Sequence, residues 1–288
     1  MRPAHVFLAV LVAALWGFNF VVIKIGIAHF PPLLFSALRF AFAAVPLVFF
    51  IPKPNVEWRI ILGIGMVLGV FKFSLLFVGM DLGLSAGLAS LVLQSQAFFT
   101  AILVALVFGE MPRRMQVLGI AVAFAGIGLI ATTVDNSVTP VGLAMVVAAG
   151  FMWAVSNLLM KKAGQVDMLG LMVWVSLVAP IPLFLLSMLF EGPAAGQAAL
   201  ANLSLQGIGS ILYVAFISTI FGFAVWGKLI RIYGAGTVAP FSLLVPIFGM
   251  GSSALVLGEE FGMIRLAAAV LVIVGLVLTV AMKPAASR

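Results

Sequence analysis

The sequence predicts an all-α integral membrane protein of ten transmembrane helices, arranged as two inverted five-helix repeats with both termini cytoplasmic. Three observations predict it: the scarcity of charge, the regular alternation of apolar stretches with breaks, and landmarks that recur at two fixed offsets. Of the 288 residues, 65% are hydrophobic and 8% are charged, with a mean hydropathy of +1.33. A soluble domain carries about 25% charged residues, so this chain could not cover itself in water. A hydrocarbon core of about 30 Å asks for about 20 apolar residues per helix. Ten such helices with short connectors use up the whole length, so the two halves share one membrane domain.

The net charge of +7 does not point to nucleic acid, because no basic cluster exceeds two adjacent residues. The chain has no cysteine, which excludes disulfides and thiolate metal sites. Its two histidines, His5 and His29, both fall near helix ends, so neither a metal centre nor another cofactor is expected.

The spans follow in order. The first, 5–27, is too long for a signal-peptide core, reads as a retained helix, and stops before Pro31-Pro32. The second, 32–51, ends at Pro52-Lys53-Pro54, and the third covers 59–79. The fourth, 84–108, runs from Ser85-Ala86-Gly87 to Gly109-Glu110. The fifth, 114–133, lies between Met111-Pro112-Arg113-Arg114 and Asp135-Asn136-Ser137. The sixth and seventh cover 140–161 and 168–190, closed by Glu191-Gly192-Pro193. The longest connector, 191–204, holds Ala, Gly, Gln and Asn and is expected to be exposed and mobile, and 205–226, 235–257 and 263–282 complete the set. Gly65 with Gly69, and Gly83 with Gly87, have the four-residue spacing that lets helices approach closely.

Orientation follows from the positive-inside rule. With a cytoplasmic amino terminus, Arg2, Lys53, Arg59, Arg113, Arg114, Lys161, Lys162, Lys228, Arg231, Lys283 and Arg288 fall inside, and the outer connectors hold Arg265. Trp16-Gly17-Phe18-Asn19 through Lys24 matches Trp153-Ala154-Val155-Ser156-Asn157 through Lys161 at an offset of 137. Ser85 to Ser90 matches Gly234 to Ala239 at an offset of 149, as do Gly109-Glu110 with Gly258-Glu259 and Gly126 with Gly275. The repeats are therefore expected at 1–136 and 137–288. Five helices is an odd number, so the second unit must face the opposite way, an architecture common in transporters.

These landmarks resemble the EamA-type branch of the drug/metabolite transporter superfamily. The resemblance is carried by Trp16-Gly17-Phe18 with Lys24, Arg39-Phe40, Ser85-Ala86-Gly87, Leu118-Gly119 with Gly126, and the two Gly-Glu pairs. Within the branch it looks most like the YddG-type exporters of aromatic and other amino acids. The resemblance implies a bacterial inner-membrane transporter that exports amino acids or related small metabolites. The family often has proline in the middle of both the fourth and ninth helices. Here the ninth has Pro240 and Pro246 and the fourth has Leu91 and Ala97, so unequal bending is expected, with the two prolines as hinges.

A charge at mid-helix costs roughly 2.5–3.5 kcal/mol on insertion scales, so each polar group in a span needs a reason. Lys72, well inside the third span, reads either as the electrostatic partner of an anionic group on a water-filled cavity or as a snorkelling side chain. Lys24 and Arg39, nearer a helix end, read as snorkelling. Trp16 and Asn19 share a face of the first helix, and Trp153 shares one with Ser156 or Asn157 on the sixth. Inverted symmetry sets these faces opposite each other, an aromatic ring beside an amide being suited to a solute with an apolar body and a polar head. Both tryptophans lie too deep for the headgroup belt. Gln94 and Gln96 are two apart, so one is expected to line the cavity and the other to bond a neighbouring helix. Tyr213 and Ser242 are further candidates.

The eight acidic residues all fall at or beside connectors. The absence of a mid-span carboxylate argues against a cationic substrate and leaves an intramembrane proton relay without a carrier. An excess of buried positive charge suits a carboxylate-bearing solute such as an amino acid. A phosphorylated sugar or nucleotide-sugar is the alternative on the same fold, and would call for several convergent basic groups. No Ser-His pair, paired membrane carboxylates or metal cluster supports an enzyme.

Overall fold

The computed structural model describes residues 1–164 and 166–280, so Lys283, Arg288 and the end of the 263–282 span lie outside the described residues. Among the described residues the chain is helical, with two isolated bridges at Leu84–Val138 and Asp135–Val138 and no strand. Eight helices are long and apolar enough to cross a membrane. They are α1 (Pro3–Ile27), α3 (Trp58–Asp81), α4 (Ala86–Phe108), α5 (Arg114–Ala131), α6 (Pro140–Ala163), α7 (Met168–Phe190), α8 (Leu205–Tyr233) and α9 (Ala235–Leu257). Two shorter apolar helices, α2 (Pro32–Val48) and α10 (Met263–Val280), complete the bundle.

Local chemistry sets the boundaries. Pro3, Pro32 and Pro140 occupy first-turn positions, where the missing N–H is no loss. The side chains of Thr139, Asp167 and Ser204 accept N–H bonds at the starts of α6, α7 and α8. Gly109 and Gly258 end α4 and α9 in the left-handed conformation, at φ 71° and 67°. The 191–204 connector is largely exposed and contains a helix, Pro193–Ala201, nucleated by Pro193 and tied to α2 through neighbouring Glu191. One expectation needs correction here. Gly83 lies outside the helices in a turn at φ 109°, so it does not share a helix face with Gly87, while a side chain there would also strike Thr139 at the start of α6.

α3 and α8 are not regular. Each contains a π-helical stretch, Gly65–Lys72 in α3 and Tyr213–Phe221 in α8, 148 to 149 residues apart. α4 is interrupted by a turn at Leu93–Gln94, and α9 by a 3₁₀ stretch at Ala239–Leu243 that contains Pro240. The expectation of unequal bending is thus corrected: α4 breaks at the matching place without a proline. Pro246 lies past the break, inside the regular helix Leu244–Leu257.

Contacts between connectors divide them into two sets. At the end where α1 begins, the terminal end, His5 shares a 2.7 Å hydrogen bond with Tyr233. Trp174 donates to the Ile51 carbonyl there, and Gln116 to that of Thr279. At the distal end, Lys24 donates to the Met80 carbonyl and Thr139 to that of Leu82. Glu191 accepts from the N–H groups of Leu33 and Leu34, at 2.6 and 3.2 Å. Arg265 there binds Asp135, Ser137 and Thr133.

Small residues hold the helices together. In lipid there is little hydrophobic drive between apolar helices, so close backbone approach carries the packing. A side chain on Gly17 would strike Phe248 and the Val245 carbonyl, and one on Gly249 would strike Ser90. Gly119 and Gly126 of α5 meet Gly275 and Ala268 of α10 in the same way. Gly65 and Gly69 pack on Val178 and Ala179 of α7, as their spacing predicts.

Candidate functional site

The breaks in α4 and α9 face each other. A broken helix frees backbone carbonyls that need partners, and Gln94 supplies one by donating to the Ser242 carbonyl at 3.2 Å. Ser242 turns its hydroxyl back on the Ala239 carbonyl at 2.7 Å. Two residues further along α4, Gln96 accepts from the Asn157 amide at 2.9 Å, and the same amide reaches Thr100 at 3.0 Å. Gln94, Gln96, Thr100, Asn157 and Ser242 line a cavity of about 320 Å³, together with Ala97, Val104, Leu243, Gln116 and Thr279. It runs from the two breaks towards the terminal end of α4, α5 and α10. A larger groove of about 590 Å³ between α5 and α6 is walled by Phe99, Ile127, Leu143, Val147 and Phe151. Its apolar lining offers a polar solute no fixed partner, so we place the site in the smaller cavity.

Four of the residues singled out from sequence, Gln94, Gln96, Asn157 and Ser242, therefore meet in one place. The division of labour expected of the two glutamines is corrected, since both line the cavity and both bond a neighbouring helix. The turn at Leu93–Gln94 is the reason, because it removes the regular helical phase between them. Thr100, Gln116 and Thr279 were missed. Thr100 lies four residues after Gln96, on the same face, and that spacing was the available signal.

Two other groups lie apart from this lining. Lys72 is buried, 4% exposed, with its ammonium 3.3 Å from the centre of the Phe73 ring and 4.5 Å from that of Trp153. Packing against two aromatic faces replaces the open cavity wall expected for it. Ser156 beside it is fully buried and donates to the Trp153 carbonyl. Arg39, read from sequence as snorkelling, is instead buried at 3% exposure, its guanidinium over Phe40 and Phe73 at 4.1 and 3.9 Å. Phe73 is thus shared by two cations that have no carboxylate partner among the described residues.

On the other half, Trp16 donates its indole N–H to the Ser218 carbonyl at 2.9 Å, inside the π-helical stretch of α8. Its ring meets Phe223 and Trp226. Tyr213 donates to the Leu15 carbonyl at 2.9 Å. Asn19 is 8% exposed and its side-chain oxygen has no partner. Trp16 and Trp153 thus each pack against an irregular helix, α8 and α3 respectively, and do not line the 320 Å³ cavity.

Comparison with known proteins gives a consistent picture. The profile of the EamA-like transporter family matches residues 4–132 and again 140–281. A protein of Salmonella typhimurium named a probable amino-acid metabolite efflux pump is 42% identical over 280 residues, covering 95% of this chain and 94% of its own. Its namesake in Escherichia coli K12 is 39% identical over 279 residues, covering 95% and 93%. One solved structure, at 15% identity, superposes with a TM-score of 0.62 over 96% of each chain and so bears on the fold alone.

Proposed function

Because the chain belongs to the EamA-like transporter family, a multi-pass membrane transporter of metabolites, we propose that it exports amino acids or related small metabolites by alternating access. The observation that carries this reading is the amide-rich cavity at the paired breaks of α4 and α9, which extends towards the terminal end, while at the distal end the start of α4 is capped by Glu259. Gln94, Gln96, Asn157 and Ser242 supply donors and acceptors for a polar head. Ala97, Val104 and Leu243 supply an apolar wall for a side chain.

The two family matches fall in the proposed repeats, 1–136 and 137–288. The division of connectors into two sets fits helices that alternate in direction, with the second repeat inverted. The weight of Lys and Arg at the terminal end fits a cytoplasmic location for that end, in a bacterial inner membrane. Lys72 and Arg39, cations without a carboxylate partner, give the interior a positive field that favours a solute carrying a carboxylate. Lys72 with Trp153 on one side, and Trp16 with Asn19 and Tyr213 on the other, border the path that opens when the halves rock. Pro240 lies in the broken segment and acts as a hinge, and Pro246 stiffens the helix beyond it.

The test is uptake of radiolabelled amino acids into liposomes holding the purified protein, with Gln96→Ala, Lys72→Ala and Trp16→Ala beside the wild type. Saturable uptake reduced roughly tenfold by Gln96→Ala is the expected result, a cost on the order of one buried polar contact. Well-folded protein that takes up no amino acid would remove the substrate class.

A further inference from the structure

The two Gly-Glu pairs and the two small-residue helix starts, which recur at the same offset, meet in the structure at one end and stand apart at the other. At the distal end the Glu259 carboxylate, in the connector after α9, accepts from the first two N–H groups of α4. The distances are 2.7 Å from Ala86 and 3.0 Å from Gly87. Those N–H groups have no partner within their helix, and the start of a helix favours a negative charge. Gly87 is pressed against Ser253 and Phe261, so the start of α4 is sealed onto the end of α9.

The offset of 149 maps Glu259 onto Glu110, and Ala86-Gly87 onto Ala235-Gly236. At the terminal end these counterparts are disengaged. Ala235 and Gly236 are exposed, and among the described residues no neighbouring atom stands within 4 Å of where a side chain on Gly236 would begin. Glu110 instead pairs with Lys161 at 2.7 Å. The other offset, 137, maps Lys161 onto Lys24 at the distal end of α1. Lys24 now donates to the Met80 carbonyl, and Asp81 and Glu259 are the carboxylates whose charges act on it.

From this exchange of partners we infer that Glu110 and Glu259 are positioning residues of the transport cycle, acting as alternating latches. Each docks on the start of the opposite repeat's helix when its end is closed, and each passes to a lysine when its end opens. The present arrangement is one half of the cycle, with Glu259 docked and Glu110 held by Lys161. In the other half Glu110 caps Ala235 and Gly236, closing the cavity, and Glu259 moves to Lys24. The breaks at Leu93–Gln94 and Ala239–Leu243 let the two ends of α4 and α9 move separately. The inference rests on the alternating access proposed above.

The chain has no cysteine, so single reporters can be placed at will. Val104, on the cavity wall, and Ser253, buried beside Gly87, are counterparts at the offset of 149. The experiment measures maleimide labelling rates of Val104→Cys and Ser253→Cys in purified protein in detergent, with and without amino acid, in wild type, Glu259→Gln, Glu110→Gln and the double variant. Glu259→Gln is expected to speed labelling at Ser253→Cys roughly tenfold and slow it at Val104→Cys, the scale of losing charge-assisted hydrogen bonds. Glu110→Gln is expected to do the reverse, and the double variant to fall between them. Misfolding cannot imitate opposite shifts, because it exposes both reporters. Reporters that both react in the wild type, but whose rates neither glutamate substitution changes, would overturn the latch and leave alternating access standing. A Ser253→Cys reporter that no variant and no amino acid opens would overturn both.

Discussion

The distal and terminal ends of the bundle carry matching sequence landmarks, Gly258-Glu259 and Gly109-Glu110, and are held in different conditions. At the distal end, Glu259 and Glu191 each cap a helix to which they do not belong, and Arg265 ties the connector of α5 and α6 to the start of α10. At the terminal end the matching carboxylate, Glu110, lies in a pair whose side chains are 44% and 59% exposed, above a cavity. The difference teaches that the contact between the start of α4 and the end of α9 is polar and local. It consists of two carboxylate-to-backbone bonds over a glycine contact.

The comparison would break most visibly at the paired glycines. Gly87→Val is expected to overpack the closed end against Ser253 and Phe261 and cost about 1–3 kcal/mol. Gly236→Val, its counterpart in open space, is expected to stay within about 0.5 kcal/mol of wild type. Thermal unfolding in detergent measures both, and equal losses would mean that the two ends are equally packed. The carboxylates give a smaller contrast. Glu191→Ala strips two N–H bonds from the start of α2 and is expected to cost about 0.5–2 kcal/mol, the range of a lost helix cap. Lys161→Ala removes a solvated ion pair and is expected to cost about 0.2–1 kcal/mol, with weaker effect still at high salt. The smallest effect belongs to Asp135. The Ser137 hydroxyl and N–H, together with Arg265, hold its carboxyl down at about 2. A depressed carboxylate contributes stability above its unfolded value of 3.8 and loses that contribution as pH falls through about 2. The melting temperature of the wild type should therefore drop more than that of Asp135→Asn between these limits, and parallel curves would remove the contribution.

Much of the fold was legible because lipid writes its demands locally. Span length, proline and glycine punctuation and charge asymmetry are each readable within a few residues, and the helices fall close to the expected spans. Gln94, Gln96, Asn157 and Ser242 were recognisable as polar groups that a span must justify. What escaped depends on partners far along the chain. The burial of Arg39 between Phe40 and Phe73 requires α3 to lie against α2, and its position near a helix end suggested the opposite. The bond of Trp16 to Ser218 spans 202 residues. The caps made by Glu191 and Glu259 join connectors whose own residues give no sign of the partner. The Ser242 carbonyl freed by the break in α9 is bound by Gln94 from the break in α4, a compensation invisible in either segment alone.

The π-helical stretches of α3 and α8 carry a consequence for anyone who maps these helices by mutation. Each residue of slippage from a 3.6-residue turn rotates everything downstream by about 100° about the helix axis. A helical wheel drawn from Trp58 will therefore assign the wrong flank to Leu75 and Leu76, and one drawn from Leu205 will do the same beyond Phe221. A scanning series along either helix should show its sensitive positions in two phases, with the jump falling at Gly65–Lys72 or at Tyr213–Phe221.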